Sequence, residues 1–339
     1  MHSDLILVVA AQVLVISAVA AAIGVLLLRH LVCRRRVRSK GRAVLVTGCD
    51  RGVGLELAAH LDSLGFRVLA GVREPCGAGA ARLQARTSVL TRLVDLDVTS
   101  EVSVAAAAGQ VRRELQETDT ELWAVINNAG VCIPGELQWL TWEQCHRSIQ
   151  VNLEGAVRIT KTFLPLLQQA KGRVVFVTSC FTDGGLPGAG LLSATSAALD
   201  ALADCLRLEA QGQVKVSTVR LGDFSLTTGL LSEHHREVAA MRAALPDAAE
   251  VDRFSAYQDA VASRGLTLRS AAPPQPLPKT VCAAFEDALL TRRPLRAYQV
   301  TEGVGARLGR WLRAQLPSDL RDALVTRRFR RQLPKVTHL

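Results

Sequence analysis

The chain has 339 residues, with 49% hydrophobic, 4% aromatic and 21% charged side chains and a formal net charge of +10. This length allows one large domain or two small ones, and the scarcity of aromatic residues favours a helix-rich α/β protein over a β-sandwich. The positive charge lies at the two ends: residues 1–42 hold seven Lys or Arg and one Asp, and residues 292–339 hold twelve Lys or Arg and three Asp or Glu. The net negative middle argues against a nucleic-acid-binding protein and fits a domain that lies against an anionic membrane. For the end segments alone, an ordinary solvated surface explains the charge equally well.

An uncharged segment, residues 5–28 (LILVVAAQVLVISAVAAAIGVLLL), is followed by a cluster of basic side chains. Its 24 residues exceed the number, about 20, that spans a bilayer. The basic residues that follow are Arg29, Arg34, Arg35, Arg36, Arg38, Lys40 and Arg42. By the positive-inside bias we predict a single-pass anchor in the endoplasmic reticulum membrane, with residues 1–4 in the lumen, residues 29–42 as a basic linker and a cytosolic domain. A cleavable signal peptide is the alternative, although its apolar region usually has only about 7–15 residues after a positive charge.

Strand and helix patterns alternate from the linker to about residue 222. Short apolar runs predict buried strands, and the amphipathic stretches between them predict helices. The predicted strands are RAVLVTG, FRVLAGV, SVLTRLVDLDV, LWAVINNAG, GRVVFVTS and VKVSTVRLG. The predicted helices are GLELAAHLDSLG, a long Ala-rich helix from about Ser100, helices near Trp142–Gln150 and Leu153–Ala170, and one within Gly188–Glu209. The alternation predicts an α/β fold, a Rossmann-like doubly wound parallel sheet in a single domain over residues 43–300.

The pattern is looser after Phe224. Residues 226–265 are predicted to be helical and irregular, within a lid at about 224–270. A Pro-rich loop opens a predicted helix, Thr280–Leu290, and PLRAYQV is predicted as an edge strand. In the basic tail, residues 301–339, Leu, Trp and Phe are interleaved with Arg, which is typical either of amphipathic helices on a membrane surface or of a covering helix.

The eight cysteines form no CxxC pair and show no metal-ligand spacing with histidine, so no metal site is predicted. In a cytosolic domain they stay reduced. Cys145, Cys205 and Cys282 are predicted to be small buried side chains.

The segment TGCDRGVG, Thr47 to Gly54, lies between the first predicted strand and the first predicted helix. Gly48, Gly52 and Gly54 permit a tight turn and let a pyrophosphate approach the backbone at the helix N-terminus. Glycines at this spacing are a weak signal alone. The strand before, the helix after and a second strand about 20 residues on make the segment a predicted dinucleotide-binding loop.

The spacing G-x-x-x-G-x-G resembles that of the short-chain dehydrogenase/reductase family, and further family motifs follow in order between about Arg42 and Tyr298. They are LDV (Leu96–Val98), NNAG (Asn127–Gly130), VNLEGAV with Asn152, and GRVVFVTS ending at Ser179. The similarity is greatest to the branch that holds 17β-hydroxysteroid dehydrogenase type 2, 11β-hydroxysteroid dehydrogenase type 2, retinol dehydrogenases and 3-hydroxybutyrate dehydrogenase.

This resemblance implies a nicotinamide cofactor and a small lipophilic substrate of the steroid or retinoid class. It implies that Asn152 organises the proton relay and that Ser179 orients the substrate. It also implies a homodimer through helices that include the one within Gly188–Glu209, although the apolar face of that helix equally permits packing on the sheet. The implied cofactor contacts are Gly48, Arg51, Gly52, Val53, Gly54, Arg73, Asp97, Asn128, Ala129 and Gly130.

Two arginines predict NADP(H) rather than NAD(H). Cationic neighbours suit the 2′-phosphate of NADP, whereas a carboxylate suits the free 2′-hydroxyl of NAD. After the second strand this chain has Val72 and Arg73 where an NAD-binding relative shows Asp, and Arg51 lies in the glycine loop. Glu74, next to Arg73, is the carboxylate that could bind the ribose hydroxyl of NAD(H) instead.

The family's Y-x-x-x-K motif is absent. Thirteen residues after Ser179 stands Leu192, four further on stands Ser196, and the only tyrosines are Tyr257 and Tyr298. In the family, the Tyr moves a proton at the substrate oxygen, while the Lys lowers the pKa of that Tyr from about 10 and holds the nicotinamide ribose. Leu192 transfers no proton and Ser196 carries no charge. Losing one general acid–base group typically costs about 10²–10⁴ in rate.

Five other side chains are possible substitutes for the missing Tyr. They are His146, Cys180, Ser193, Thr195 and, in the lid, Tyr257. Of these residue types only histidine ordinarily titrates near neutrality, but a surface or core role is expected for His146, and packing is expected for Cys180. A further departure is RLGDF, in which Leu221 replaces the family's Pro.

Two functions are therefore open from the sequence. The first is a divergent oxidoreductase of steroid or other lipid alcohol or ketone metabolism that uses an unusual proton path. The second is a catalytically inactive pseudoenzyme that binds NADP(H) or a lipid as a scaffold or sensor.

Overall fold

The computed structural model of the protein describes residues 12–21, 23–25, 36–180, 185, 187–222, 234–261, 276–300 and 316–330. Seven parallel strands form one sheet in the order β3-β2-β1-β4-β5-β6-β7. The strands are β1 (Arg42–Val46), β2 (Arg67–Val72), β3 (Thr91–Asp95), β4 (Glu121–Asn127), β5 (Arg173–Ser179), β6 (Lys215–Leu221) and β7 (Ala297–Val300). Most are runs of Val, Leu, Ile and Ala buried on both faces, as a covered parallel sheet requires. The predicted Rossmann-like single domain is confirmed.

The described part of the chain between residues 52 and 330 has ten α-helices, and several of these cover the two faces of the sheet. The ten are α1 (Gly52–Ser63), α2 (Ala78–Gln84), α3 (Glu101–Glu117), α4 (Trp142–Ile149), α5 (Gly155–Gln169), α6 (Gly190–Glu209), α7 (His234–Ala243), α8 (Ala248–Val261), α9 (Lys279–Leu290) and α10 (Ser318–Arg330). One hydrophobic cluster joins Leu57 of α1 and Phe285 of α9 to the sheet. A second cluster joins Val111 of α3, Phe163 of α5 and Leu199 of α6 to the opposite face. The glycine loop and the end of β5 thus lie together at the carboxyl edge of the sheet.

Three local features differ from the sequence prediction. Helices α4 and α5 are joined by a π-helical turn, Gln150–Glu154, instead of ending separately. The short helix α2 was not predicted, because its sequence AGAARLQ has too few apolar residues to show a helical period. Cys205 is exposed rather than buried, because its side of α6 faces solvent, whereas Cys145 is buried and Cys282 half-buried. The predicted edge strand is confirmed as β7.

Several predicted segments lie wholly or partly outside the described residues. They are the anchor (5–28), the linker (29–42), the lid (224–270) and the tail (301–339). Within the described ranges, no helix is long and apolar enough to cross a membrane. Residues 12–21 and 23–25 are helical, and their side chains are exposed.

The apolar face of α6 is used inside the subunit. Leu199 and Leu206 are 4% and 8% exposed and belong to the core cluster on that face of the sheet, and Leu202 packs against it. These leucines therefore give no support to a homodimer, which stays a prediction.

Candidate functional site

The glycine loop is a tight turn between β1 and α1. Gly48 and Gly52 have φ angles of +73° and +62°, a region that side chains rarely adopt. Gly54 packs so closely that a Cβ there would lie 2.1 Å from the carbonyl oxygen of Gly48 and 2.6 Å from Nδ2 of Asn128. The three predicted glycines are thus required by the backbone geometry of this loop.

The NNAG segment holds the loop in place from the adjacent strand. Asn128 Nδ2 donates to the carbonyl oxygen of Thr47 at 2.9 Å and to that of Gly48 at 3.3 Å. The hydroxyl of Thr47 accepts from the amides of Asn128 and Ala129 at 3.0 and 2.9 Å. Thr47 was quoted in the loop motif but missed as a site residue. The sequence signal for this role is a Thr at the last position before the Gly-rich turn, where its hydroxyl can bond to the neighbouring strand.

The N-terminus of α1 presents a positive electrostatic potential that can attract an anion. Arg51 occupies the N-cap, its side chain makes no capping hydrogen bond, and the first turn has no acidic residue. Backbone N–H groups at such a helix start point at whatever lies before it, and the helix dipole favours negative charge there. Together with the glycines, this arrangement fits a pyrophosphate. The residues present therefore fit a dinucleotide.

Asp50, which the sequence analysis did not single out, joins the glycine loop to the end of β2. Its Oδ1 accepts from the backbone amides of Arg73 at 2.9 Å and Glu74 at 3.2 Å. Gly79 of α2 packs closely against the backbone of Asp50: a Cβ on residue 79 would lie 2.0 Å from the carbonyl oxygen of Asp50. A carboxylate therefore stands beside Arg73, the residue predicted to favour NADP.

The remaining predicted cofactor residues lie around this edge. Asp97 is half-buried, and its Oδ1 accepts from the amide and the hydroxyl of Thr99 at 2.9 and 2.7 Å, so it holds the turn after β3. Val53 is partly buried against the core, and Arg51 and Arg73 are exposed. Gly130 faces Oδ1 of Asn152, 3.5 Å from the position of a Cβ.

Helix α6 meets the end of β5 at the residues predicted to replace the family's acid–base pair. Ser196 is 4% exposed, and its Oγ accepts from the backbone amide of Ser179 at 3.2 Å. Leu192 is half-buried one turn earlier, on the same face of the helix. One turn later, Asp200 pairs with Arg220 of β6, with Oδ2 and Nε 3.0 Å apart. The short Ser196 side chain thus ties the helix directly to the strand end.

Asn152 lies in the π-helical turn and is 7% exposed. Its Oδ1 accepts from the amide of Val131 at 2.7 Å, and its Nδ2 donates to the carbonyl oxygen of Val131 at 2.9 Å. The same Nδ2 lies 3.4 Å from the hydroxyl of Thr195, which donates to the carbonyl oxygen of Leu191 at 2.8 Å. The structure therefore brings Asn152 and Thr195 together beside the segment that follows NNAG.

Among the substitutes for the missing Tyr, Tyr257 has its hydroxyl near the start of α6, 3.5 Å from the position of a Cβ on Gly188. Tyr257 packs in the lid with its ring centroid 4.5 Å from that of Trp139. Burial, with a smaller contribution from Glu136, raises the pKa of Tyr257 to about 12, away from the near-neutral value that a general acid–base needs. His146 is exposed, as expected. Ser193 is 9% exposed, and its hydroxyl has no hydrogen-bond partner in the described part of the chain.

Comparison with known proteins agrees with this fold and loop. The profile of the short chain dehydrogenase family matches residues 42–238. The chain belongs to this family. The predicted resemblance is confirmed.

Two relatives from the predicted branch and one solved structure illustrate the similarity. The mitochondrial D-beta-hydroxybutyrate dehydrogenase of Rattus norvegicus is 38% identical over 65% of this chain and 66% of that protein, just under two thirds of its length. The 17-beta-hydroxysteroid dehydrogenase type 2 of Homo sapiens is 36% identical over 86% of this chain and 75% of that protein. A short chain dehydrogenase from Burkholderia cenocepacia in complex with NADP has a TM-score of 0.60 at 22% identity, covering 86% of this chain and 98% of that chain, and shows a common fold.

Proposed function

We propose that this short chain dehydrogenase family member binds a nicotinamide dinucleotide and a small lipophilic alcohol or ketone of the steroid or retinoid class. The observation that carries the proposal is the cradle at the carboxyl edge, in which Gly48, Gly52 and Gly54 leave the start of α1 open to a pyrophosphate. When bound, the nicotinamide supplies or accepts a hydride. Asn128 and Thr47 hold the loop that receives it, and Ser179 lies at the strand end where the substrate's oxygen is expected.

The choice between NADP(H) and NAD(H) depends on opposing charges at the end of β2. We propose NADP(H), because Arg51 and Arg73 are both exposed beside the loop. Asp50 acts against this preference, because its carboxylate already binds the amides of Arg73 and Glu74 and repels a 2′-phosphate.

A single-pass anchor at residues 5–28 in the endoplasmic reticulum membrane, with the folded domain in the cytosol, suits a lipophilic substrate. It is supported by the apolar side chains of residues 12–21 and 23–25, which are exposed: Leu14 and Ile16, for example, are 72% and 67% exposed. A contiguous apolar surface of this kind on a soluble protein is uncommon and marks contact with a membrane or a partner.

A second function, a pseudoenzyme that binds NADP(H) or a lipid as a scaffold or sensor, is favoured by the contact between Ser196 and Ser179. The hydroxyl of Ser196 fills the position predicted for a cation, and Leu192 offers no proton. Among the described candidates, Tyr257 is buried against Trp139 and its pKa is raised to about 12, which disfavours proton transfer near neutral pH.

One experiment separates the two functions. The purified full chain is titrated with NADPH, NADH, NADP+ and NAD+. The reduced complexes are then mixed with the ketones and aldehydes, and the oxidised complexes with the alcohols, of a panel of steroids, retinoids and 3-hydroxy and 3-oxo acids while absorbance at 340 nm is followed. Binding with a change in absorbance supports the oxidoreductase, and binding without one supports the pseudoenzyme. Failure to bind any of these dinucleotides at millimolar concentration contradicts the oxidoreductase and the NADP(H)-binding pseudoenzyme, and leaves only a lipid-binding pseudoenzyme.

A further inference from the structure

Four strands of the sheet begin with a cationic side chain on the edge opposite the glycine loop, and one of these side chains, Arg67 of β2, is paired with Glu114. Arg42 opens β1, Arg173 opens β5 and Lys215 opens β6, and Arg173 is paired with Lys215 in the parallel ladder. The exposed Arg292 and Arg293, in the turn between α9 and β7, are close enough to lower the pKa of Lys215, after the larger effect of burial. Arg42, Arg173, Lys215, Arg292 and Arg293 form what we call the amino-edge patch.

Arg173 lies at the base of the amino-edge patch, where it is 1% exposed. Its Nη1 donates to the carbonyl oxygen of Ala288 at 2.5 Å, but its Nε and Nη2 have no hydrogen-bond partner within the described residues. The guanidinium carbons of Arg42 and Arg173 lie 3.7 and 4.8 Å from the ring centroid of Trp123. Burial lowers the pKa of Arg173 to about 10, which still leaves it charged at neutral pH. Two of the five cations of the patch therefore stack on the ring of Trp123.

The nearest carboxylates are engaged by other groups. Asp287 accepts from the hydroxyls of Thr291 and Tyr298 at 2.6 and 2.8 Å. Glu286 contacts Arg36 and His60 at 3.2 and 3.0 Å. In the described part of the chain, Asp287, which acts to raise the pKa of Arg173, and Glu121, the ladder partner of Arg42, therefore lie near five cations. The patch therefore carries a local excess of positive charge that suits an anionic partner.

The segment that follows the proposed anchor is docked on the same part of the surface. Arg36 forms an antiparallel bridge with Thr291, and the amide of Val37 donates to the carbonyl oxygen of Leu290 at 2.7 Å. Leu28 ends the apolar segment and precedes Arg36 by eight residues, which span at most about 28 Å when fully extended. A chain anchored through residues 5–28 therefore keeps the patch close to the bilayer surface.

We propose that the amino-edge patch binds the phosphate headgroups of the anionic membrane in which the chain is anchored. The proposal rests on the proposed membrane anchor. Arginine forks match phosphate oxygens in geometry, and each cation near an anionic surface strengthens binding about fivefold. The amino edge of the sheet then faces the membrane. The glycine loop and Ser179 lie at the opposite edge, farther from the bilayer by roughly 20 Å, which is the length of the strands.

The test uses the full chain in lipid nanodiscs, one set of phosphatidylcholine alone and one with about a third phosphatidylserine. Hydrogen exchange of residues 290–297 is compared in the wild type, in R292Q/R293Q and in R112Q/R113Q. The last variant is a matched control, because Arg112 and Arg113 are an exposed pair on α3, which packs on the opposite face of the sheet, and it loses the same charge. Phosphatidylserine is expected to slow exchange about fivefold or more in the wild type and in the control, but not in R292Q/R293Q.

The outcomes distinguish failure of the patch proposal from failure of the proposed anchor and of the proposed dinucleotide binding. Equal exchange in both lipids, from chains that stay in the nanodisc at high salt, overturns the patch proposal and leaves the anchor standing. Chains that do not remain in the nanodisc overturn the anchor and the patch together. Protection by inorganic phosphate in phosphatidylcholine nanodiscs, without any effect of phosphatidylserine, identifies a free-anion site and overturns membrane docking. NADPH binding, measured on the same samples, tests the proposed function independently.

Discussion

Ser196 Oγ accepts a hydrogen bond from the backbone amide of Ser179 at 3.2 Å. Through this contact the position that the family resemblance assigns to a lysine becomes part of the structural link between α6 and β5. The link is short and buried, and Ser196 carries no charge, so this position supplies no cation to the site. Proton transfer at this edge of the sheet therefore depends on which side chains stand at positions 192 and 196.

The variant L192Y/S196K is expected to gain hydride-transfer activity by about 10²–10⁴ over the wild type, because it restores a proton donor and the cation that lowers its pKa. Asp200 lies one turn beyond Ser196 on the same face and offers the new Lys a nearby carboxylate. The measurement is the initial rate at 340 nm with the substrate panel.

The matched control is L192F/S196K, which keeps the ring and the cation but lacks the hydroxyl. Thermal unfolding of all three proteins shows whether they remain folded. Equal rates for the two variants would mean that proton transfer by residue 192 is not what the site lacks.

Replacing Gly54 by Ala is expected to abolish dinucleotide binding and to destabilise the fold by about 1–3 kcal/mol, because the new Cβ would lie 2.1 Å from the carbonyl oxygen of Gly48. The control is Gly109→Ala in the middle of α3, where the nearest atom lies at 3.7 Å. That change is expected to stabilise the chain by about 0.5–1 kcal/mol through helix propensity. Dinucleotide titration and thermal unfolding measure both effects; a G54A protein that binds NADPH normally would contradict this view of the loop.

Asp50→Asn is expected to raise the affinity for NADPH relative to NADH. The amide oxygen can still accept from the backbone of Arg73 and Glu74, while the negative charge beside the ribose end of the site is removed. For a solvated site the electrostatic gain is about 1 kcal/mol, or about fivefold in the ratio of dissociation constants. Asp62→Asn is the control, since Asp62 also accepts a backbone amide, from Ser88 at 2.9 Å, at the other end of α1. An unchanged ratio in D50N would show that this carboxylate does not influence the choice of cofactor.

The sequence predicted the parts of this molecule that depend on local pattern. Apolar runs and glycine spacing gave the sheet and the loop, because a buried parallel strand and a turn with positive φ each require particular residue types. It did not predict the role of Asp50, whose partners Arg73 and Glu74 are more than twenty residues away. The amino-edge patch was also missed, because Arg42, Arg173 and Lys215 meet only when the strands are placed side by side.

Helix α7, which falls within the predicted lid, is held to α4 by Glu237, whose carboxylate contacts Arg147 and accepts from Nε2 of Gln144 at 2.9 Å. Glu237→Gln is expected to loosen α7 and speed its hydrogen exchange severalfold with little change in global stability, because the Arg147 side chain is partly exposed and such ion pairs are worth about 1 kcal/mol or less. Glu250→Gln, which breaks an ion pair within α8, is the control and should leave α7 unchanged. Identical exchange in both variants would mean that Glu237 does not hold the lid.

His234 makes the same lid helix sensitive to acid. Burial lowers the pKa of His234, with Glu237 opposing and His235 adding to the effect, and its Nδ1 has no hydrogen-bond partner within the described residues. Because the folded-state pKa lies below the unfolded value of about 6.5, the folded lid favours the neutral ring, and its stability falls as the pH drops below about 6.5. Hydrogen exchange of α7 at pH 7.5, 6.5 and 5.5, corrected for the intrinsic rate, is expected to show increasing opening in the wild type and a flatter profile in His234→Gln. His146→Gln, at an exposed position on α4, should follow the wild type. If H234Q and the wild type opened alike at pH 5.5, protonation of another group would have to control the lid.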